Sequence, residues 1–138
     1  MDSTYARAAG GCSMKSVIVF AAAMFAAGSA FAACPGKAPK QNWNVQAGDQ
    51  RVSGQYLTKL LSGKKVKFGS AGTEQYRKDG GYRYSAGGQN YDAGSYRFYA
   101  DGVRCIGYSN LRFDLYVVNN GKLVVINRDG GRFEGKVR

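Results

Sequence analysis

Histidine is missing from the whole chain of 138 residues. Without an imidazole, a Ser-His-Asp triad or a Cys-His pair cannot form, and the commonest metal ligand is lost as well. Carboxylates are also few, because Asp and Glu together number nine. Three of them, Asp79, Asp101 and Asp129, precede glycine, where aspartate is typical of a turn rather than of catalysis. The sequence therefore predicts a protein that is not an enzyme and that holds neither a metal nor another cofactor.

A long apolar run is missing too. The apolar segment 17–27 is shorter than the roughly 20 residues that a bilayer-spanning helix needs. Lys15 precedes it and the small residues Ala30 and Ala32 follow, which is the layout of a secretory signal peptide. We predict a signal peptide over residues 14–32, an upstream segment 1–13 that belongs to a misassigned start, and a periplasmic or secreted protein. A retained membrane anchor is the alternative.

Cysteine is scarce, with three in the chain, and Cys12 falls in the upstream segment. The remaining pair, Cys34 and Cys105, predicts one disulfide in an oxidising compartment. The alternative is an outer-membrane lipoprotein, in which a lipid would occupy the sulfur of Cys34. Lipoprotein signals usually carry an aliphatic residue three before the cysteine, whereas this chain has Phe31. The sequence therefore favours cleavage after Ala32.

Both prolines of the chain, Pro35 and Pro39, lie in a polar lead-in, which predicts an irregular arm over residues 33–52. A single domain over 53–138 follows. It begins with a short helix at about 53–62, for which Ser53 is a suitable N-cap. The apolar residues of that helix fall on one face, and they are Tyr56, Leu57, Leu60 and Leu61.

The rest of the domain has the patterns of β-strands. Apolar residues alternate with polar ones in 65–68, 82–85 and 96–98, whereas 113–118 and 123–126 are apolar enough to be buried on both faces. Turn dipeptides separate them: Asp79-Gly80, Gly87-Gly88, Asp101-Gly102, Asn120-Gly121 and Asp129-Gly130. The fold class is therefore mainly β, an antiparallel meander that closes into a small barrel or curved sheet with one short N-terminal helix.

Two of these turns fix a register if each has two residues. Gly87-Gly88 then places Tyr84 opposite Tyr91, and Arg83 opposite Asp92 on the other face of the hairpin. Asp101-Gly102 places Phe98 opposite Cys105, on an inward face.

Three short motifs resemble those of small secreted proteobacterial domains. They are the helix end Leu60-Leu61-Ser62-Gly63, the hairpin Tyr76-Arg77-Lys78-Asp79-Gly80-Gly81-Tyr82, and the segment Val118-Asn119-Asn120-Gly121-Lys122-Leu123. The resemblance implies a periplasmic module that is similar to a β-barrel, and it implies no active site. This chain departs from those domains because it has no second strand cysteine.

Positive charge dominates, with 20 Lys and Arg and a net charge of +11. Such a surplus favours anionic partners, although it also keeps a small protein soluble. The candidate anion-binding residues are Lys64, Lys65, Lys67, Arg77, Arg83 and Arg97.

Tyrosine alternates with arginine in several strands, which is typical of an oligosaccharide or oligonucleotide platform. Because successive residues of a strand point to opposite faces, we favour tyrosines in the core and arginines in solvent. Trp43 of the arm is predicted to pack on the core as well.

The sequence therefore predicts a non-catalytic β-barrel module of the bacterial cell envelope with a binding or stabilising role. One alternative is an inhibitor or binder of an exported protein. The other is a basic platform for an anionic glycan or lipopolysaccharide. No specific nucleic acid partner is predicted.

Overall fold

The structure is a computed structural model that describes residues 31–138. The predicted upstream segment 1–13 lies outside these residues, and so does the predicted signal peptide apart from residues 31 and 32. The elements in chain order are β1 (Gln50–Arg51), α1 (Gly54–Leu61), β2 (Lys65–Lys67), β3 (Thr73–Tyr76), β4 (Tyr82–Ala86), β5 (Gln89–Ala93), β6 (Tyr96–Phe98), β7 (Val103–Ile106), β8 (Arg112–Asn119), β9 (Lys122–Ile126) and β10 (Arg132–Val137). None of the helices in this described part is long and apolar enough to cross a membrane.

Nine of the strands form one antiparallel sheet that curls through 210° into a half-barrel. The strand order is β5-β4-β3-β2-β10-β9-β8-β7-β6, and β1 pairs with the end of β8. The mainly β fold, the antiparallel meander and the curvature are confirmed. The meander is interrupted at one place, because β10 lies between β2 and β9.

Helix α1 lies within one residue of its predicted bounds. The Ser53 hydroxyl accepts a hydrogen bond from the Tyr56 amide at 3.1 Å, as an N-cap does. Leu57 and Leu61 are fully buried and join the core on the concave side of the sheet. Gly63 follows the helix with a φ of 72°, which is the left-handed conformation that a glycine after a helix adopts readily.

The glycine turns are of two kinds. Gly87-Gly88 is a two-residue turn, and the register it sets is as predicted: Tyr84 pairs with Tyr91 and Arg83 with Asp92. Asn120-Gly121 is also a two-residue turn, since Asn119 pairs with Lys122.

Each Asp-Gly pair instead belongs to a three-residue loop. The Tyr99 amide donates to the Val103 carbonyl at 2.8 Å, so Ala100, Asp101 and Gly102 all lie in the loop. A three-residue loop adds one residue to the turn and ends in a left-handed glycine, and Gly102 has a φ of 88°.

The predicted register of β6 and β7 is therefore wrong by one residue. Phe98 pairs with Arg104, and Cys105 pairs with Arg97. Because a shift of one residue reverses the faces, Cys105 lies away from the concave side and Arg104 points into it.

Both faces of the central strands are buried. The concave core contains Leu57, Leu61, Val66, Tyr76, Tyr82 and Tyr116 among others. The convex core contains Tyr99, Val103, Cys105, Leu115, Val117 and Ile126. The predicted burial of 113–118 and 123–126 on two faces is thus confirmed.

The N-terminal arm covers the convex core. Cys34 and Cys105 form the predicted disulfide, with 71 residues of sequence separation. Ala38 and Trp43 pack on the same core. The arm is irregular as predicted, apart from the short strand β1 at its end.

Candidate functional site

Charged side chains fill the middle of the concave side. Glu74 on β3, Arg104 on β7 and Asp114 on β8 are at most 3% exposed. The Arg104 guanidinium donates to Glu74, and it donates to the Asp114 carboxylate at 2.6 Å. We call these three residues the buried ionic cluster.

Tyrosine hydroxyls complete the hydrogen bonds of Glu74. Tyr76, Tyr82 and Tyr116 each donate to its carboxylate at 2.6–2.8 Å. Burial raises the pKa of all three tyrosines well above the ordinary value. They therefore stay protonated and remain donors to Glu74.

Asp114 is ionised in spite of its burial. Burial alone would raise its pKa, but the charge of Arg104 and the hydrogen bonds from Arg112 outweigh it, so the pKa is lowered. Arg112 Nε donates to Asp114 Oδ2 at 3.0 Å while half of the Arg112 side chain stays exposed. The cluster and Arg112 together hold two carboxylates and two guanidinium groups, so their charges balance.

The interior side chains also hold the two ends of the half-barrel together. Tyr96 of β6 packs edge-on against Tyr76 of β3, with ring centroids 5.0 Å apart. Tyr108 packs in the same way against Tyr82 of β4 at 6.0 Å. These contacts bridge the open side of the sheet, and each carboxylate of the cluster already has its donors. The interior side chains therefore form a core that joins the two ends of the half-barrel.

A concave cleft lies at the edge of this open side. It has a volume of about 650 Å³. Its lining includes Tyr84, Tyr91, Asp92, Tyr108, Asn110 and Arg112. We call it the tyrosine cleft. Tyr91 is 48% exposed.

A smaller cavity of about 110 Å³ lies behind the cleft. Tyr84 and Arg112 line both spaces, so the two spaces are neighbours. Glu74 and Arg104 line the inner end of the cavity. The cleft therefore adjoins the buried ionic cluster through this cavity.

The convex side carries a separate basic surface. Lys67 of β2 pairs directly with Lys136 of β10. Two residues along, Lys65 lies opposite Arg138, and their backbone groups exchange hydrogen bonds of 3.0 and 2.8 Å. All four side chains are exposed, and we call them the basic face.

One carboxylate, that of Glu134, lies beside the basic face but forms no ion pair with it. No ion pair within residues 31–138 involves any of its four members. Glu134 lines a shallow depression beside Lys67 and Lys136, but its ion pair is with Lys122 at 3.2 Å. Like charges directly opposite on neighbouring strands are destabilising.

The predicted anion-binding residues do not form one site. Lys65 and Lys67 lie on the basic face, and Lys64 is exposed just before it. Arg83 makes a two-pronged ion pair with Asp92, at 2.7 and 3.0 Å, whose hydrogen bonds lower the pKa of Asp92. Arg77 Nε lies 3.6 Å from an Asp79 oxygen.

Arg97 lies on β6, far along the sheet from β2. Its guanidinium stacks over the Tyr99 ring at 5.5 Å. Three of the six predicted residues therefore share a region, and the three arginines lie outside it.

The sequence reasoning missed Lys136 and Arg138, because only the pairing of β10 with β2 brings them beside Lys65 and Lys67. It also missed Arg104 and Glu74 as interior charges.

Comparison with family models, with curated proteins and with solved structures finds no match for this chain.

Proposed function

We propose that this protein is a non-catalytic, exported binding module of the bacterial cell envelope. Its basic face would bind the phosphate, sulfate or carboxylate groups of an anionic glycan or of lipopolysaccharide. The disulfide between Cys34 and Cys105 supports export, because such bonds persist in oxidising compartments.

The observation that carries the proposal is the pairing of like charges on the basic face. Lys67 faces Lys136 across two strands, and this juxtaposition costs stability. A positive charge kept only for solubility could lie anywhere on the surface. Four cations on adjacent strands instead form a compact site in which several anionic groups can bind together.

The test measures binding to heparin and to lipopolysaccharide as the salt concentration rises. The test variant is Lys65→Gln/Lys67→Gln/Lys136→Gln, and the control with the same change of net charge is Lys37→Gln/Lys40→Gln/Lys59→Gln. The slope of log affinity against log salt should decrease in the test variant by about 2–3, since each neutralised anionic group contributes roughly 0.7–0.9 on nucleic acids. The control variant should keep the slope.

Heparin and lipopolysaccharide separate the two sources of anionic groups. Preference for heparin would indicate an acidic glycan, and preference for lipopolysaccharide would indicate its lipid-linked phosphates. Equal losses in the two variants would show that only net charge matters, and this result would contradict the proposal. The test variant should also be at least as stable as the parent, because two like-charge pairs have been removed.

A further inference from the structure

The tyrosine cleft combines three features of a ligand site. Its volume is about 650 Å³, and it opens widely to solvent. Aromatic rings from two strands and one loop line it, and polar groups from Asn110 and Arg112 lie among them. These residues are distinct from the basic face, so this inference is independent of the proposed function.

Two tyrosines form a broad aromatic wall. The rings of Tyr84 and Tyr91 are inclined by only 30°, with centroids 6.2 Å apart. They are cross-strand partners on the same face of the β4–β5 hairpin. Such a surface favours a ligand with a flat apolar face. When no ligand is bound, nearly half of the surface of Tyr91 is exposed to water.

The guanidinium of the cleft is fixed in place before any ligand binds. The Asp114 carboxylate holds it by accepting a hydrogen bond from Arg112 Nε. A fixed guanidinium donates hydrogen bonds to hydroxyl groups. Preorganised groups of this kind lower the entropic cost of binding.

Charge balance indicates which ligand fits. Arg112, the charged group on the same face as the rings, is already paired with Asp114. A strongly charged ligand would therefore gain little in the cleft. A neutral ligand with one apolar face and many hydroxyl groups would satisfy both the rings and the polar groups.

We infer that the tyrosine cleft binds a neutral saccharide, with one sugar ring stacked on Tyr84 and Tyr91 and its hydroxyl groups bonded to Asn110 and Arg112. Sugar rings present C–H groups on one face and hydroxyl groups around the edge, which matches this lining. Sheets that curl into barrels bind oligosaccharides in other proteins through the same kind of surface.

The experiment titrates the protein with chitotetraose, cellotetraose and maltotetraose, and it follows amide chemical shifts by NMR. Binding of at least one of them should shift the amides of β4, β5 and the β7–β8 loop. Tyr91→Ala should weaken that binding about tenfold, the order expected for one aromatic partner. Tyr91→Phe should retain it, because the Tyr91 hydroxyl contacts only Gln89 at 3.2 Å.

Tyr56→Ala is the matched control. Tyr56 is 46% exposed, close to the value for Tyr91, but it lies on α1 outside the cleft. Its loss should leave binding unchanged. No binding of any of the three saccharides would overturn the inference, and so would equal weakening by Tyr91→Ala and Tyr56→Ala. Binding of a short oligodeoxythymidine at the same amides in place of the saccharides would also overturn it, because stacked bases rather than sugars would then be the ligand.

Discussion

Replacing Glu74 by glutamine should be among the most damaging single changes in this protein. Glu74 is 3% exposed, and its carboxylate accepts hydrogen bonds from Arg104 and three tyrosines. Glutamine keeps the shape but removes the negative charge, so Arg104 is left with Asp114 alone, which Arg112 already shares. Removing one partner of a buried ion pair costs about 3–5 kcal/mol. That is a large part of the roughly 5–15 kcal/mol by which a whole domain is stable.

The measurement is equilibrium unfolding in urea, followed by circular dichroism and by the fluorescence of Trp43. Trp43 packs on the convex core, so its signal reports on the opposite side of the sheet from the mutation. With an m value of about 2 kcal/mol/M, a loss of 4 kcal/mol lowers the midpoint by about 2 M. Glu134→Gln is the control, and it should cost less than about 1 kcal/mol because Glu134 is exposed in its pair with Lys122.

A double variant separates the charge from the packing. Arg104→Met alone leaves Glu74 buried without its cation, whereas Glu74→Gln/Arg104→Met removes both charges and leaves Asp114 paired with Arg112. The double variant should therefore lose less stability than the sum of the two single variants. A Glu74→Gln loss below about 1 kcal/mol, or strictly additive losses, would refute the view that the cluster acts as one charge-balanced unit.

Three further outcomes are expected. Cys34→Ser/Cys105→Ala should lower the free energy of unfolding by up to about 4 kcal/mol on the chain-entropy model, and the intact mass of the parent should be two hydrogens below that of its reduced form. Gly102→Ala should lower the free energy of unfolding much more than Gly121→Ala, although both glycines have positive φ. The reason is that a Cβ at Gly102 would lie 2.8 Å from the Val52 carbonyl, whereas Gly121 has free space. Equal losses of unfolding free energy in urea would contradict this. Hydrogen bonds from Arg132 lower the pKa of Asp49, and the pKa of Asp114 is lowered as well. The stability that both carboxylates supply is therefore present near neutral pH and is lost as the pH falls below about 4. Arg132→Gln should raise the pKa of Asp49, as measured by carboxyl NMR.

Local chemistry explains what the sequence could predict. The N-cap Ser53, the two-residue turn at Gly87-Gly88 and the apolar runs of β8 and β9 each involve neighbouring residues, and each matches the structure. The error at Asp101-Gly102 has the same origin. Aspartate before glycine is compatible with a two-residue turn and with a three-residue loop, and the structure has the second kind.

Long-range pairing explains what the sequence could not predict. Nothing near Lys67 in the chain indicates that Lys136 lies beside it. Strands β2 and β10 are far apart in the sequence of the domain, although they are neighbours in the sheet. The buried charges left a weak signal, since Arg104 and Asp114 interrupt apolar strands that are buried on both faces. That pattern becomes interpretable only when the two residues are seen to pair.

The central place of β10 has a consequence for the order in which the protein folds. Strands β2–β5 and β6–β9 each pair with their neighbours in sequence, so each half can form from local hairpins. Within residues 31–138, the two halves share one strand pairing, that of β10 with β2, in which Val137 pairs with Val66. The complete sheet therefore cannot assemble until residue 137 has been synthesised, and its last pairing joins residues that are far apart in the chain.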